Sequence, residues 1–84
     1  MTALRFAFTK IVVADLETSK QFYGRSLGLS QVAYIEFGDG FDHLQEVILA
    51  VPDVPPGAAQ LNLIHFPNRP MGRAGDTVIG FMVD

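Results

Sequence analysis

Few side chains in this sequence of 84 residues could do chemistry, and they do not form a familiar catalytic set. With no cysteine and only two histidines, the chain can form neither a disulfide nor a thiolate site. Lys10 and Asn62 interrupt two otherwise apolar runs. Lys10 could hold an anionic ligand, or act as a base if desolvation favours its neutral form, but a lysine at a sheet rim often just extends its ammonium into water. Both interpretations stay open.

The two histidines have competing interpretations. His65 could be a ligand or an acid–base group, although a histidine at a strand end more often bonds to backbone or water. His43, near Asp42 and Glu46, has a spacing that suits a hard or borderline metal. It also follows a glycine-rich turn, where solvated polar residues are common.

Two further pairs of residues could contribute to a site. Tyr34 and Glu36 share one face of a β-type run and could add a phenol and a carboxylate to a cleft. The sequence does not indicate which face of that run points inward. The glycine-containing segment around Arg69 and Arg73 resembles a mobile loop between modules. Such a loop could close over a cleft, although it is more often a simple linker.

Composition excludes several classes of partner. The net charge is −3 and the six basic residues are scattered, which argues against nucleic-acid binding. No run approaches the roughly 20 apolar residues of a membrane span, so we expect a soluble, cytoplasmic protein. The sequence is 49% hydrophobic and 11% aromatic. One small core cannot hide that much apolar surface, which predicts a protein partner.

Element patterns favour an α+β fold with a single helix. Residues 6–13 form a β-type run, and Asp15 is placed to cap a helix over residues 16–27 that ends at Gly28. Further strands are expected at 30–37, 43–51, 60–66 and 77–84, separated by loops rich in glycine and proline. One helix can cover only one face of the sheet. By alternation, the other face carries an apolar set with one amide: Phe8, Val12, Asn62, Ile64 and Phe66.

The stretch "VVADLETSKQFYGRSLGL" fits the pattern V-x-D-L-x-x-S-x-x-F-Y-x-x-x-L-G-L. With the order of elements, it resembles the vicinal oxygen chelate superfamily, which includes glyoxalase I, bleomycin-resistance proteins and extradiol dioxygenases. The resemblance implies a βαβββ module with a mixed curved sheet and one helix on its outer face. Two such modules, from one chain or two, enclose a cleft. Residues 1–75 would be one module, and residues 76–84 the first strand of a second, incomplete one.

In metal-dependent members of that superfamily, ligands come from the first and last strands of each module. The matching positions here are Phe8, Asn62 and Val78, none of which is a good ligand for a divalent ion. We therefore expect no metal and no other cofactor. A divalent metal is the alternative, held by His43, Glu46 or His65, or by residues of a missing second module.

The leading hypothesis is a protein that binds a small molecule in an apolar cleft between paired modules. Its ligand-binding residues would be Phe8, Lys10, Val12, Asn62 and Ile64, with no catalytic residue assigned. The partner would be a second copy, in a homodimer or a strand-exchanged assembly. The alternatives are a metal-dependent lyase, isomerase or dioxygenase, and a half-domain without activity.

Overall fold

The computed structural model describes residues 1–55, 57–70 and 80–81. These residues form strand β1 (Phe8–Val12), helix α1 (Leu16–Leu27) and strands β2 (Ser30–Phe37), β3 (Leu44–Ala50) and β4 (Gln60–His65). The predicted α+β class is confirmed, and each of these element boundaries lies within two residues of its prediction. The expected strand at 77–84 lies outside the described residues, apart from Gly80 and Phe81. No helix in the described part of the chain is long and apolar enough to span a membrane.

Helix α1 begins and ends where its local sequence dictates. The Asp15 carboxylate accepts a 3.0 Å hydrogen bond from the Thr18 backbone N–H, which lowers the pKa of Asp15 below its ordinary value. At the other end, Gly28 adopts a left-handed conformation with φ of 70°, and its N–H donates to the Gly24 carbonyl. A residue with a Cβ would be strained there, so glycine ends the helix.

The sheet is mixed, with strand order β1-β4-β3-β2. Strands β1 and β4 are parallel neighbours, while β4, β3 and β2 pair in antiparallel fashion. The β2–β3 connection is a tight turn in which Gly38 has φ of 77°. A Cβ at Gly38 would lie 2.5 Å from the Asp42 carbonyl oxygen, so the turn has no room for a side chain. This topology places β4, with Asn62, between β1 and β3.

Helix α1 packs on one face of the sheet and builds the core there. The buried residues of this core are Leu29, Val47, Leu49, Leu61 and Leu63. The helix contributes Leu16, Tyr23 and Leu27, each half-buried against the cluster. These three residues lie on one side of α1, because residues three or four apart share a helical face.

The opposite face, called the open face below, carries the side chains that alternate with the core residues. It consists of Phe8, Lys10, Val12, Ala33, Ile35, Phe37, Leu44, Glu46, Ile48, Gln60, Asn62 and Ile64. Phe8 is 53% exposed and Phe37 is 71% exposed. The expectation that one helix covers one face is confirmed in the described part of the chain, and large apolar side chains remain uncovered on the other.

Candidate functional site

Lys10, Glu46 and Asn62 meet at the centre of the open face, and we call them the polar cluster. Strand pairing brings them together, because Lys10 is in register with Asn62 on β4 and Glu46 lies two pairs along on β3, opposite Ile64. Lys10 Nζ lies 3.4 Å from Glu46 Oε2 and 3.5 Å from Oε1. Asn62 Nδ2 donates a 2.9 Å hydrogen bond to Glu46 Oε2. The carboxylate thus links three strands.

Burial within the polar cluster is uneven. The Glu46 side chain is 6% exposed, whereas that of Lys10 is 45% exposed. A buried carboxylate is costly unless it is paired and hydrogen-bonded, and Glu46 has both kinds of partner. Lys10 is therefore the member of the cluster that is accessible from outside, while Glu46 and Asn62 form the floor beneath it.

The amide oxygen of Asn62 has no hydrogen-bond donor. Glu46 can only accept, so the Asn62 Nδ2 group must face it, and Oδ1 is directed elsewhere. Oδ1 is buried, and no donor within residues 1–55, 57–70 and 80–81 reaches it. A buried acceptor in this state costs about 1–3 kcal/mol. Asn62 Oδ1 is therefore an unused acceptor next to the Lys10–Glu46 ion pair.

Apolar side chains surround the polar cluster. Lys10 Nζ lies 5.4 Å from the centroid of the Phe8 ring. Val12 follows on the same strand face. Ile64, which pairs with Glu46, is only 6% exposed. The five residues predicted to bind a ligand, Phe8, Lys10, Val12, Asn62 and Ile64, therefore share one continuous face of the sheet. The structure places them together, and their role in binding stays a prediction.

Comparison with known proteins assigns the family. The sequence model of the Glyoxalase/Bleomycin resistance protein/Dioxygenase superfamily matches residues 5–84. The chain belongs to this superfamily. The crystal structure of methylmalonyl-CoA epimerase from Mycobacterium tuberculosis is similar, with a TM-score of 0.60 and 30% sequence identity. The match covers 79% of this chain and 43% of the epimerase chain, so the chain spans less than half of that relative. No curated protein sequence matches the chain significantly.

The residues at the superfamily's metal-ligand positions do not fit a divalent ion. Phe8 offers no donor atom, and Val78 lies outside the described residues. Asn62 offers one neutral oxygen, and the negative charge of Glu46 is already compensated by Lys10 at 3.4 Å. Divalent ions in proteins require several imidazole or anionic donors that converge. Nowhere in residues 1–55, 57–70 and 80–81 do three His, Cys, Asp or Glu side chains form such a group.

His43, Asp42 and Glu46, which the sequence grouped as candidate metal ligands, have side chains that strand alternation separates. Glu46 faces the open side, while His43 Nε2 lies 2.8 Å from Glu36 Oε2 on the helix side of the sheet. Asp42 instead accepts from Arg69 Nη2 at 2.8 Å. The three residues are adjacent in sequence but have different partners.

Tyr34 and Glu36 also lie on the helix side of the sheet, and not on the open face. Tyr34 is in register with core residue Val47, and its hydroxyl donates a 2.9 Å hydrogen bond to Glu36 Oε1. Hydrogen bonds from His43 and Tyr34 lower the pKa of Glu36. The hydrogen bond between Tyr34 and Glu36 also raises the pKa of Tyr34. The possibility that they add a phenol and a carboxylate to the open face is therefore excluded.

His65 and Arg69 have structural partners. His65 Nδ1 lies 3.0 Å from the Val13 carbonyl oxygen, the ordinary role expected for a histidine at a strand end. The Arg69 guanidinium stacks between Phe41 and Phe66, at 4.4 and 4.0 Å from their ring centroids. Arg69 Nε also donates to the Phe41 carbonyl at 2.7 Å. Arg69 therefore fastens the end of β4 to the β2–β3 turn; Arg73 lies outside the described residues.

The sequence patterns did not predict that Glu46 lies on the open face beside Lys10. They grouped Glu46 with His43, its neighbour in the chain, and not with Lys10, which is 36 positions away. A usable signal exists in the sequence, because Glu46 and Lys10 are lone opposite charges within the apolar strands β3 and β1. Two such charges in a small sheet favour pairing with each other, since neither tolerates burial alone.

Proposed function

We propose that this chain is a module that binds a small molecule on its open face, inside a cleft that a second module completes. The observation that carries this proposal is the unsatisfied Asn62 oxygen within a buried polar cluster on an otherwise apolar, uncovered face. Binding sites for small molecules typically combine apolar walls with a few convergent polar groups. The open face has this composition, with the polar cluster at its centre.

The exposed apolar side chains support pairing with a second module. Phe8, Val12, Ile35 and Phe37 are each at least 43% exposed on the open face. Large apolar side chains concentrated on one face of a small domain favour an interaction site there. We propose that a second copy supplies the cover, in a homodimer or a strand-exchanged assembly. A second module of a longer chain would bury the same face, and is the other arrangement consistent with the 43% coverage of the epimerase.

We further propose that binding requires no metal. The support is chemical, since Phe8 replaces a donor with a hydrocarbon ring and Lys10 compensates the buried carboxylate of Glu46. A dication beside Glu46 would face the ammonium of Lys10 at close range. The ligand would be held by apolar contact and by hydrogen bonds from the polar cluster.

Two measurements test this function. Metal analysis of the chain purified without chelator is expected to find only traces, and stoichiometric zinc, nickel, manganese or iron would overturn the metal-free proposal. A nuclear magnetic resonance titration with small uncharged aromatic compounds is expected to shift backbone amides of β1, β3 and β4. If no compound shifts open-face residues, or if shifts are confined to residues around α1, the proposal that the open face binds a small molecule is contradicted.

A second candidate function is a metal-dependent lyase, isomerase or dioxygenase. The observation that favours it is the 30% identity to a methylmalonyl-CoA epimerase, an enzyme of the same superfamily. The metal ligands would then come mainly from a second module. Activity that is lost on metal removal and restored by adding the metal, in a protein that contains both modules, would favour this candidate over simple binding.

A further inference from the structure

We propose that the polar cluster selects a ligand carrying an uncharged amide edge, in which a C=O and an N–H lie side by side, as in a primary carboxamide or a lactam. This ligand class rests on the proposed function, because it takes the open face as the binding surface. Three properties of the polar cluster point to it: its net charge, its hydrogen-bonding capacity and its accessibility.

Charge compensation within the polar cluster favours an uncharged ligand. Lys10 and Glu46 form an ion pair at 3.4 Å, and Asn62 is neutral, so the cluster as a whole carries no net charge. An anion drawn to Lys10 would come close to the buried carboxylate, and a cation drawn to Glu46 would meet the ammonium. Desolvating either ion on an apolar surface adds a further cost.

Hydrogen-bonding capacity specifies both a donor and an acceptor on the ligand. The Lys10 ammonium has three N–H donors, and within the described residues its only hydrogen-bond partner is the Glu46 carboxylate. Asn62 Oδ1 is an acceptor that lacks a donor. Lys10 and Asn62 are in register on adjacent strands, and Lys10 Nζ and Asn62 Nδ2 both contact Glu46 Oε2, so the ammonium and the amide group lie close together. A ligand that satisfies both must place an acceptor next to a donor, as an amide edge does.

Lys10 is the member of the polar cluster that can move to admit such a ligand. Its contacts with Glu46, at 3.4 and 3.5 Å, are at the long limit for hydrogen bonds, and its side chain is 45% exposed. Asn62 Oδ1 is buried, so a ligand reaches it only after a neighbouring side chain shifts. A lysine on a flexible stem can turn its ammonium toward the ligand carbonyl while the Glu46–Asn62 bond keeps the amide oriented.

Apolar surroundings define the rest of the ligand. Phe8 and Val12 flank Lys10 along β1, and Ile64 follows Asn62 along β4. An aromatic or aliphatic body attached to the amide would lie against these side chains and bury apolar surface. The simplest probe with both features is benzamide.

The test is a resonance titration of the chain with three matched probes. Benzamide carries the full amide edge, N,N-dimethylbenzamide has the same ring and carbonyl without the N–H, and benzoate replaces the amide with an anion. We expect benzamide to bind about five-fold more tightly than the dimethyl compound, the value of one ordinary hydrogen bond. At equal occupancy, benzamide should shift the side-chain amide resonance of Asn62 more than the dimethyl compound does, an observation that requires no variant.

The variant Asn62→Leu removes the acceptor and should equalise the affinities of benzamide and the dimethyl compound. Equal affinities of the two in the wild-type chain, or tighter binding of benzoate, would overturn the amide assignment while leaving the proposed function intact. If none of the three probes shifts residues of the open face, both the assignment and the proposed function fail. The Asn62 resonance in the wild-type chain decides the assignment even if the leucine variant does not fold.

Discussion

The Asn62 side chain donates its N–H to Glu46 at 2.9 Å, and the same bond directs the amide oxygen away from Glu46 into a buried position without a donor. This relationship joins β3 to β4 at the centre of the sheet. The Glu46 carboxylate gains a hydrogen bond, while the Asn62 carbonyl oxygen is left without one. Buried polar groups in folded domains are normally hydrogen-bonded, so this arrangement is unusual. A ligand or partner that supplies a donor would complete the arrangement.

Replacing Glu46 tests how far the polar cluster contributes to stability. We expect Glu46→Leu to lower the free energy of unfolding by about 1–3 kcal/mol, because Asn62 is then buried with both its donor and its acceptor unsatisfied. Glu46→Gln retains an acceptor oxygen and should cost less. Urea unfolding of the three proteins, followed by circular dichroism, provides the measurement.

The double variant Glu46→Leu with Asn62→Leu is the matched control. Replacing both partners by apolar side chains removes the unsatisfied groups, so much of the loss should be recovered. Lys10 remains half-exposed and keeps its access to water. Losses that simply add in the double variant would show that the two side chains do not act as a pair.

Asp15 should make the stability of helix α1 sensitive to acid. Its hydrogen bond to Thr18 holds the pKa of Asp15 below the ordinary value of 3.8. The carboxylate therefore stabilises the fold fully above pH 3.8, and this contribution is lost as the pH falls through the lowered value. At neutral pH, we expect Asp15→Ala to lower Tm by about 4–8 °C, while Asp15→Asn retains a capping oxygen and loses less.

Thermal melts at several pH values distinguish capping from a general loss of packing. The Tm difference between the wild type and Asp15→Ala should be largest near neutral pH and should shrink below pH 3.8. A difference that stays constant into strong acid would mean that the charge of Asp15 plays no part.

Arg69 should hold the β2–β3 turn in place. The variant Arg69→Ala loses two hydrogen bonds, to Phe41 and Asp42, and the stacking with two aromatic rings. We expect a loss of about 1–3 kcal/mol and faster hydrogen exchange at the backbone amides of Asp42 and His43. Arg25→Ala, which removes an exposed arginine of α1, is the control. If both variants behave alike, the Arg69 contacts contribute nothing beyond surface charge.

Local signals explain why much of the fold could be predicted from the sequence. Asp15 and Gly28 mark the two ends of α1, the first through its carboxylate and the second through its left-handed backbone, and both act within one helical turn. Strand alternation placed Phe8 and Asn62 on the same face, because the side-chain direction reverses at every residue. These inferences need no knowledge of which strands are neighbours.

Strand neighbours decide the features that could not be predicted. The Glu46 partnership depends on the order β1-β4-β3, which brings together residues 36 positions apart. The face occupied by Tyr34 depends on the register of β2 with β3, which shifts between Gln31 and Ala33. A register shift of one residue moves every later side chain to the other face, so the sequence alone left both possibilities open.

Phe8 should matter for ligand binding or self-association, whereas an equally exposed phenylalanine elsewhere should not. Phe8 is 53% exposed on the open face, and Phe22 is 58% exposed on α1. We expect Phe8→Ala to weaken probe binding or assembly several-fold and Phe22→Ala to leave both unchanged. Sedimentation velocity and probe titration provide the readouts, and equal behaviour of the two variants would place the interface elsewhere.

The most direct test of the central claim, that a second module covers the open face, is hydroxyl-radical footprinting of the chain at concentrations from low micromolar to millimolar. Phe8 and Phe22 have nearly equal exposure in a single module, at 53% and 58%, so they should be oxidised alike when the chain is dilute. We expect Phe8 to become protected from oxidation as the concentration rises, while Phe22 stays reactive. Equal oxidation of both rings at every concentration would contradict the claim.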